Sequence, residues 1–273
     1  MVHWSEKRSE TGMDVFKQVS RTHFDISPWT TAFPSLLAGV TNRAQQYGFH
    51  VGDDPVHVKQ HRTRLAQELD VPLSHWVSTE QTHETNVREV TRREAGCGSD
   101  SLHSALTATD GLITNKSGVL LTLLFADCVP LYFFDPKTKW IGVSHAGWRG
   151  TVGNIAGNSV RKLTNQGASL SSLEVVIGPS ICGECYIVDD KVISRVDEVM
   201  EHGGQTFYNE VTSGQYALDL RKVNKQLLIQ ADVAPERIRV TDYCTSCHND
   251  QFFSHRKEQG QAGRILAYIG WKV

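Results

Sequence analysis

Three short apolar runs between residues 119 and 143 constrain the fold of this chain more than any other feature. They are Val119–Phe125, 131–134 and 140–143, each bounded by polar or turn-forming residues. Runs of this length between turn signals are typical of buried strands. Cys128 follows the first run, and His145 follows the third. Because the ends of strands commonly carry functional side chains, this pattern predicts that a thiol and an imidazole share one pocket.

The remainder of the chain alternates predicted helices with predicted strands. Asp54 is a suitable N-cap and Pro55 suits the first position of a helix that should continue to about Leu69. Further helices are expected over 151–163, 189–202 and 218–230, and further strands near Phe24 and over 173–177, 237–240, 252–256 and 266–271. The alternation predicts an α/β or α+β fold, in which a single domain contains a mixed β-sheet flanked by helices.

Composition argues against several classes of function. The 273 residues carry a net charge of −2 and contain no basic block, so a nucleic-acid surface is not indicated. No apolar run approaches the roughly 20 residues that a membrane-spanning helix needs. The first ten residues lack the apolar region of a secretory signal. We therefore expect a cytoplasmic protein that binds neither nucleic acid nor a membrane.

His83, Cys128 and His145 are the first candidate metal ligands. Two imidazoles and one thiolate suit zinc, and three protein ligands leave a fourth position for water or substrate. Spacing alone is weak evidence, because His83 precedes Cys128 by 45 positions. The same residue types also fit a cysteine nucleophile with a histidine base, or a buried cysteine beside two hydrogen-bonded histidines.

Two neighbours of these residues are further candidates. Arg149 follows His145 by four positions at the start of a predicted helix, where a guanidinium and backbone amides favour an anion such as phosphate. Alternatively, Arg149 is an ordinary surface arginine at the start of a helix. Asp127, beside Cys128, is either a hydrogen-bond acceptor for a metal ligand or a proton-transfer group.

Two CxxC pairs form another candidate site. They are Cys182 with Cys185 and Cys244 with Cys247, and 58 residues lie between the pairs. Paired CxxC units are a strong zinc signal when about 15 to 20 residues separate them, so this longer interval weakens the prediction. A structural four-cysteine site and a coincidental pair of turns both remain open.

Several motifs together carry a resemblance to a known family. They are Ala-Asp-Cys-Val-Pro at 126–130, His-Ala-Gly-Trp-Arg-Gly at 145–150, Ile-Gly-Pro-Ser at 177–180, Asp-Tyr-Cys-Thr at 242–245 and Phe-Phe-Ser-His-Arg at 252–256. In this order they resemble the laccase-domain, or polyphenol-oxidase-like, family, whose members are described as purine nucleoside phosphorylases. The resemblance covers residues 38–273, so residues 1–37 should be an N-terminal segment packed on that domain.

The resemblance implies a function and a set of ligands. It implies a zinc ion bound by His83, Cys128 and His145, and phosphorolysis of adenosine, inosine and methylthioadenosine with adenosine deamination in addition. Purine nucleosides and inorganic phosphate would be the substrates. A copper-dependent polyphenol oxidase is the alternative, but none of the 12 histidines forms the His-x-His pair that multicopper oxidases use.

The expected site is completed by charged residues near these ligands. We expect Asp127, Cys128 and Arg149 to be catalytic, and Arg43 and Arg149 to bind phosphate. The chain departs from the family pattern at Phe125, where a threonine is usual, and in a short loop after Arg43.

Overall fold

The computed structural model describes residues 14–200 and 207–272. The predicted N-terminal segment over 1–37 and the helix predicted over 189–202 therefore lie partly outside the described residues. Within the described ranges, no helix is both long enough and apolar enough to cross a membrane.

The secondary structure alternates strands with helices, as predicted. The strands are β1 Phe16–Gln18, β2 His23–Ile26, β3 Leu36–Thr41, β4 Trp76–Val77, β5 Val87–Glu89, β6 Gly111–Thr114, β7 Val119–Phe125, β8 Val129–Phe134, β9 Ile141–Ala146, β10 Glu174–Ile177, β11 Ile187–Asp189, β12 Tyr208–Thr212, β13 Gln215–Leu218, β14 Ile238–Val240 and β15 Ile265–Trp271. The helices are α1 Ser27–Ala32, α2 Pro55–Leu69, α3 Trp148–Val152, α4 Ile155–Asn165, α5 Asp190–Val199 and α6 Leu220–Gln230. Short 3-10 turns cover Leu73–His75, Arg92–Glu94, Leu102–Ser104 and Pro235–Arg237.

The described strands form three sheets. The first sheet has the order β1-β2-β3-β15-β7-β4, and the second has the order β14-β10-β8-β9-β6-β5. A small third sheet has the order β11-β13-β12. Both large sheets are mixed, because β4 runs parallel to β7 and β10 runs parallel to β14 while most other pairs are antiparallel.

The two large sheets pack face to face, with helices on their outer faces. Alternate residues of β7 enter the core between the sheets, where Leu121 and Leu123 join Tyr132 and Val143 from the second sheet. Leu120 points the other way, into a cluster with residues of α2. The opposite face of the second sheet is covered by apolar residues of α4, α5 and α6. The resulting layers are helix, sheet, sheet and helix.

The apolar runs that predicted buried strands are confirmed. The side chain of Asp54 accepts a hydrogen bond from the backbone N–H of Val56, so α2 begins at Pro55 with the predicted N-cap. Residues 14–37 contribute β1 and β2, and β2 pairs with β3 through registers such as Phe24 with Val40. The α/β class with a mixed sheet is confirmed, although the mixed sheet predicted as one is divided into three.

Two predicted elements are wrong in detail. The strand expected over 252–256 is a run of turns, in which the backbone N–H of Phe252 donates to the carbonyl oxygen of His248 at 3.0 Å. The helix expected over 151–163 is divided into α3 and α4, because Asn154 adopts a left-handed conformation with φ 61°. Its side chain then caps the new helix by accepting a hydrogen bond from the N–H of Gly157. Apolar character identified buried residues at both places but not the backbone path.

Candidate metal centre

His83, Cys128 and His145 lie together in the fold. Their possible ligand atoms are all within 4.8 Å of one another. His145 lies inside β9, and Cys128 directly precedes β8. These strands are neighbours, with Pro130 opposite His145 in the ladder, so antiparallel pairing alone brings the thiol to the imidazole. His83 comes from the connection between β4 and β5, and its ring meets that of His145 nearly edge-on at 4.7 Å between centroids.

A buried carboxylate, Asp110, positions two of these residues. Its Oδ1 accepts hydrogen bonds from Nδ1 of His145 at 2.8 Å and from the backbone N–H of His83 at 3.0 Å. Its Oδ2 accepts from the backbone N–H groups of Thr82 and Glu84. This cradle holds the loop in which His83 has φ 62°, a conformation that is uncommon outside glycine. Because Nδ1 of His145 is hydrogen-bonded to Asp110, the other ring nitrogen, Nε2, is left to bind a metal ion.

Charge within the cluster favours the thiolate of Cys128 and the protonated ring of His145, so a metal ion would have to displace the proton of His145 on binding. Burial would raise the pKa of the Cys128 thiol, but the charge of His145 and hydrogen bonds with His145 and His83 lower it to about 6. Burial would lower the pKa of His145, but the Cys128 thiolate and Asp110 raise it to about 9. A thiolate is the form of cysteine that binds metals, so Cys128 is prepared for this role.

The donor set fits a zinc ion. Two histidines and one cysteine are donors that zinc takes in catalytic sites, where a fourth position stays open. A carboxylate on the second nitrogen of a histidine ligand is also typical of zinc sites, and Asp110 supplies it. Copper sites of this type use in addition a weak axial ligand such as methionine. Met200, the methionine among the described residues, packs instead in the core beneath the helices.

Gly147 packs closely against these ligands, and a side chain at this position would not fit. A Cβ at this position would lie 3.0 Å from the sulfur of Cys128 and 3.0 Å from Cδ2 of His83. Any larger residue would therefore displace a ligand side chain. Phe125, where the family pattern has a threonine, packs on the other side, with its ring centroid 5.2 Å from that of His145.

A cavity of about 240 Å³ opens directly beside the metal ligands, and we call it the arginine cavity. Arg149 is exposed and its guanidinium lies over the ring of Trp148 at 4.9 Å. Arg256 lies over the ring of Tyr186 at the same distance. The lining residues are His83, Asp127, Cys128, Trp148, Arg149, Ile181, Tyr186, Leu220, His255 and Arg256.

Asp127 is buried at the edge of the arginine cavity in a constrained conformation. Its φ is 81°, which turns the chain between β7 and Cys128. Its Oδ1 accepts a hydrogen bond from the hydroxyl of Thr245 at 2.6 Å, and its Oδ2 accepts one from the backbone N–H of Arg256 at 2.7 Å. These two hydrogen bonds fix the position of the carboxylate at the edge of the cavity.

A second cavity of about 270 Å³ lies on the other side of the metal ligands. His83 lines both cavities, and His145 lines this one. The other lining residues are His50, Thr79, Glu80, Gln81, Leu102, Leu124, Ala126 and Arg264. The candidate metal centre therefore forms part of the wall of two separate spaces.

The structure brings together most of the residues that the sequence indicated, but not Arg43. The guanidinium of Arg43 donates to the carbonyl oxygen of Asn249, forms an ion pair with Glu258 at 3.2 Å and lies over the ring of Phe253 at 4.9 Å. It does not line either cavity. These contacts occupy the group, so the geometry gives no support to Arg43 as a phosphate ligand.

Sequence reasoning missed four residues of the site. Asp110 belongs to an Asp-Gly pair directly before β6, but its role depends on its partners in space. Tyr186, His255 and Arg256 reach the arginine cavity from distant parts of the chain. His255 and Arg256 belong to the motif at 252–256, but neither was predicted to be a site residue.

Comparisons with known proteins find one family model and several similar proteins. Residues 38–272 match the family described as multi-copper polyphenol oxidoreductase laccase. A protein of Geobacillus stearothermophilus named purine nucleoside phosphorylase YlmD is 40% identical over 268 residues, which cover 94% of this chain and 97% of the relative. A protein of Bacillus subtilis with the same name is 42% identical over 226 residues, covering 82% of this chain and 81% of the relative.

Solved structures share the whole fold. The crystal structure of YlmD from Geobacillus stearothermophilus has a TM-score of 0.92 at 39% identity and covers 96% of this chain and 100% of its own. That of the Bacillus licheniformis hypothetical protein YfiH has a TM-score of 0.90 at 35% identity, covering 94% and 99%.

Proposed function

Since the chain belongs to the multi-copper polyphenol oxidoreductase laccase family, in which curated relatives are named purine nucleoside phosphorylases, we propose that it is a purine nucleoside phosphorylase. The observation that carries the proposal is the arginine cavity, in which two guanidinium groups share one space with the ligands of the candidate metal centre. Phosphorolysis needs an anion site beside the ribose, and this arrangement offers one.

The cavity has an excess of positive groups available to phosphate. Arg149 and Arg256 contribute two positive charges, and His255 adds an imidazole. The opposing carboxylate of Asp127 is already engaged by Thr245 and by the backbone of Arg256. Arginine binds phosphate through its planar pair of donors, so Arg149, which forms no ion pair among those observed, is the phosphate ligand that we propose.

The same cavity can hold a purine nucleoside. Ile181, Leu220 and the rings of Trp148 and Tyr186 supply apolar surface, which is the usual lining of sites for small heterocyclic ligands. Adenosine, inosine and methylthioadenosine are the substrates that we propose.

Asp127 would act on the sugar. In phosphorolysis, an oxygen of phosphate forms a bond to C1′ while the bond from C1′ to the purine nitrogen breaks, so the products are ribose 1-phosphate and the free base. Positive charge develops on the ribose, and a nearby carboxylate stabilises it. We assign this charge stabilisation to Asp127. We also assign to Asp127 the proton transfer at the phosphate.

The metal that we propose is zinc, held by His83, Cys128 and His145. When bound there, it would lower the pKa of a water molecule, which is the chemistry that the additional adenosine deamination needs. The chain's own contribution is Asp110, which fixes the ring of His145 and the loop of His83.

The test is to incubate the metal-loaded protein with each nucleoside, with and without phosphate. We expect free base and ribose 1-phosphate, or 5-methylthioribose 1-phosphate from methylthioadenosine, only when phosphate is present, and inosine from adenosine without it. Release of base at the same rate without phosphate would contradict phosphorolysis, and absence of any product would contradict the whole proposal.

Arg149→Ala tests the anion site. Loss of a charged hydrogen-bond donor at an exposed position should raise KM for phosphate about 10-fold while KM for the nucleoside changes less. Arg43→Ala is the matched control, because it removes an arginine that does not line the cavity. An equal rise in KM for phosphate in both variants would remove Arg149 from the site.

A polyphenol oxidase is the second candidate, because the family description names that activity. It predicts oxygen consumption with a phenolic substrate and stoichiometric copper. A multicopper enzyme would need further histidine-rich clusters, whereas the described residues contain one group of two histidines with a cysteine and one of four cysteines. The geometry therefore favours the phosphorylase.

A further inference from the structure

The two CxxC pairs meet in space. The sulfur atoms of Cys182, Cys185, Cys244 and Cys247 all lie within 4.8 Å of one another. Cys247 is 3.5 Å from Cys185 and 3.9 Å from Cys182, measured between sulfurs, and all four are free thiols. We call this group the cysteine cluster. It lies outside the metal centre described above and shares no residue with it.

The spacing of the sulfurs matches one metal geometry. In a tetrahedral zinc site with Zn–S bonds of about 2.3 Å, neighbouring sulfurs are about 3.8 Å apart. The distances of 3.5 and 3.9 Å from the sulfur of Cys247 lie on either side of that value. Four free thiols at this separation, ranging from the buried Cys244 to the exposed Cys247, are the arrangement that one metal ion would hold.

The backbone around the cluster is arranged as in thiolate metal sites. The N–H groups of Cys182 and Cys247 donate to the sulfur of Cys244 at 3.2 and 3.4 Å. Each CxxC turn is closed by its own backbone bonds, from Tyr186 to Cys182 and from His248 to Cys244. Hydrogen bonds of this kind stabilise a thiolate ligand and fix its direction.

We propose that the cysteine cluster binds one zinc ion through four thiolates. Four protein ligands complete the tetrahedral shell and leave no position for water or substrate, so the site is structural. This inference does not depend on the proposed phosphorylase activity.

The position of the cluster gives the ion a role in shaping the arginine cavity. Ile181 and Tyr186 flank the first pair and line that cavity, and the backbone N–H of Ile181 donates to the carbonyl oxygen of Asp127 at 3.1 Å. In the second pair, Thr245 donates to the carboxylate of Asp127. A bound ion would thus join two turns that both contact Asp127.

The first experiment measures metal content by mass spectrometry of the purified protein and of single variants. Cys247→Ser should lose one zinc equivalent relative to wild type, and Cys97→Ser should lose none, because Cys97 belongs to neither group of ligands. Equal zinc in Cys247→Ser and wild type would overturn the proposal. Stoichiometric iron at the cluster would overturn the assignment to zinc.

The second experiment uses the wild-type protein, so it does not depend on whether a variant folds. Alkylation of the thiols is followed residue by residue by peptide mass mapping, before and after treatment with a chelator. Cys247 is exposed and should react readily, yet we expect it to be protected until the metal is removed. Equal alkylation of Cys247 in both states, or a disulfide within the cluster, would contradict the proposal.

Discussion

The candidate metal centre and the cysteine cluster contain the same kind of ligand in different numbers. The centre combines one thiol with two imidazoles, whereas the cluster has four thiols. Three ligands leave an open position and four do not. The centre also adjoins two cavities, while only residues neighbouring the cluster reach one of them. Ligand number and access, rather than the presence of cysteine, therefore separate a chemical site from a structural one.

The two groups also differ in what holds their residues in place. His145 lies within β9 and Cys128 directly precedes β8, so the paired strands position them without any ion. The four cysteines lie on turns outside the named strands, and the two turns are joined by an isolated bridge between Ser180 and Cys244 and by the hydrogen bond from the N–H of Cys182 to the sulfur of Cys244. We expect removal of metal to leave the first group in place and to loosen the second.

Cys128→Ala should have the largest effect and should separate the two groups most clearly. Loss of groups that only orient a metal ligand costs up to about 100-fold in activity, so loss of the ligand itself should lower kcat/KM by at least about 100-fold. The melting temperature should change less than in Cys247→Ser, which removes a ligand of the cluster. Assays of phosphorolysis and thermal unfolding on both variants check the contrast. The reverse ranking would exchange the roles that we assign to the two groups.

Asp110→Asn should have the next largest effect. An asparagine has one acceptor oxygen, so it cannot keep the hydrogen bonds that both carboxylate oxygens accept from His145 and from the loop of residues 82–84. Metal affinity at the centre should fall about 10- to 100-fold. Chelator competition measures this affinity, and zinc at the cysteine cluster provides an internal control within the same molecule. If both sites lost metal together, the defect would be in the fold and not in the ligand geometry.

Gly147→Ala should have the smallest effect of the three. Its Cβ would meet Cys128 and His83 at 3.0 Å, so a ligand has to move by a few tenths of an ångström. Because a displacement of about 1 Å can cost 100-fold, we expect a fall of about 10-fold in kcat/KM.

Gly178→Ala is the matched control for Gly147→Ala. Its Cβ would also approach at 3.0 Å, but the neighbour is the ring of Tyr132 and not a metal ligand. Equal losses of activity in the two variants would show that crowding alone, and not the metal ligands, explains the effect.

The sequence predicted the parts of this molecule that depend on local pattern. The run Val119–Phe125 became β7, and Asp54 with Pro55 began α2, because burial and capping are decided within a few residues. The resemblance named His83, Cys128 and His145, which spacing alone could not join. Asp110 and Arg256 were missed because their roles arise from contacts across 35 and 129 positions, with His145 and Asp127 respectively.

Arg43 shows the opposite case, in which a chemically suitable residue is not available. Its guanidinium is engaged by Glu258 and by the carbonyl oxygen of Asn249, which lie more than 200 positions away in the chain. The break between α3 and α4 also could not be predicted from the pattern. Asn154, which caps α4, lies within a continuous helical pattern of the sequence.

The order of strands in the first sheet has a consequence for synthesis on the ribosome. β15 lies between β3 and β7 and pairs with both. Neither of these strands can complete its ladder until Ile265–Trp271 has been made, although β7 already ends at Phe125. The apolar faces and backbone edges of these strands therefore stay unpaired while about half of the protein is synthesised. Chaperones that shield nascent strands should matter most in that interval.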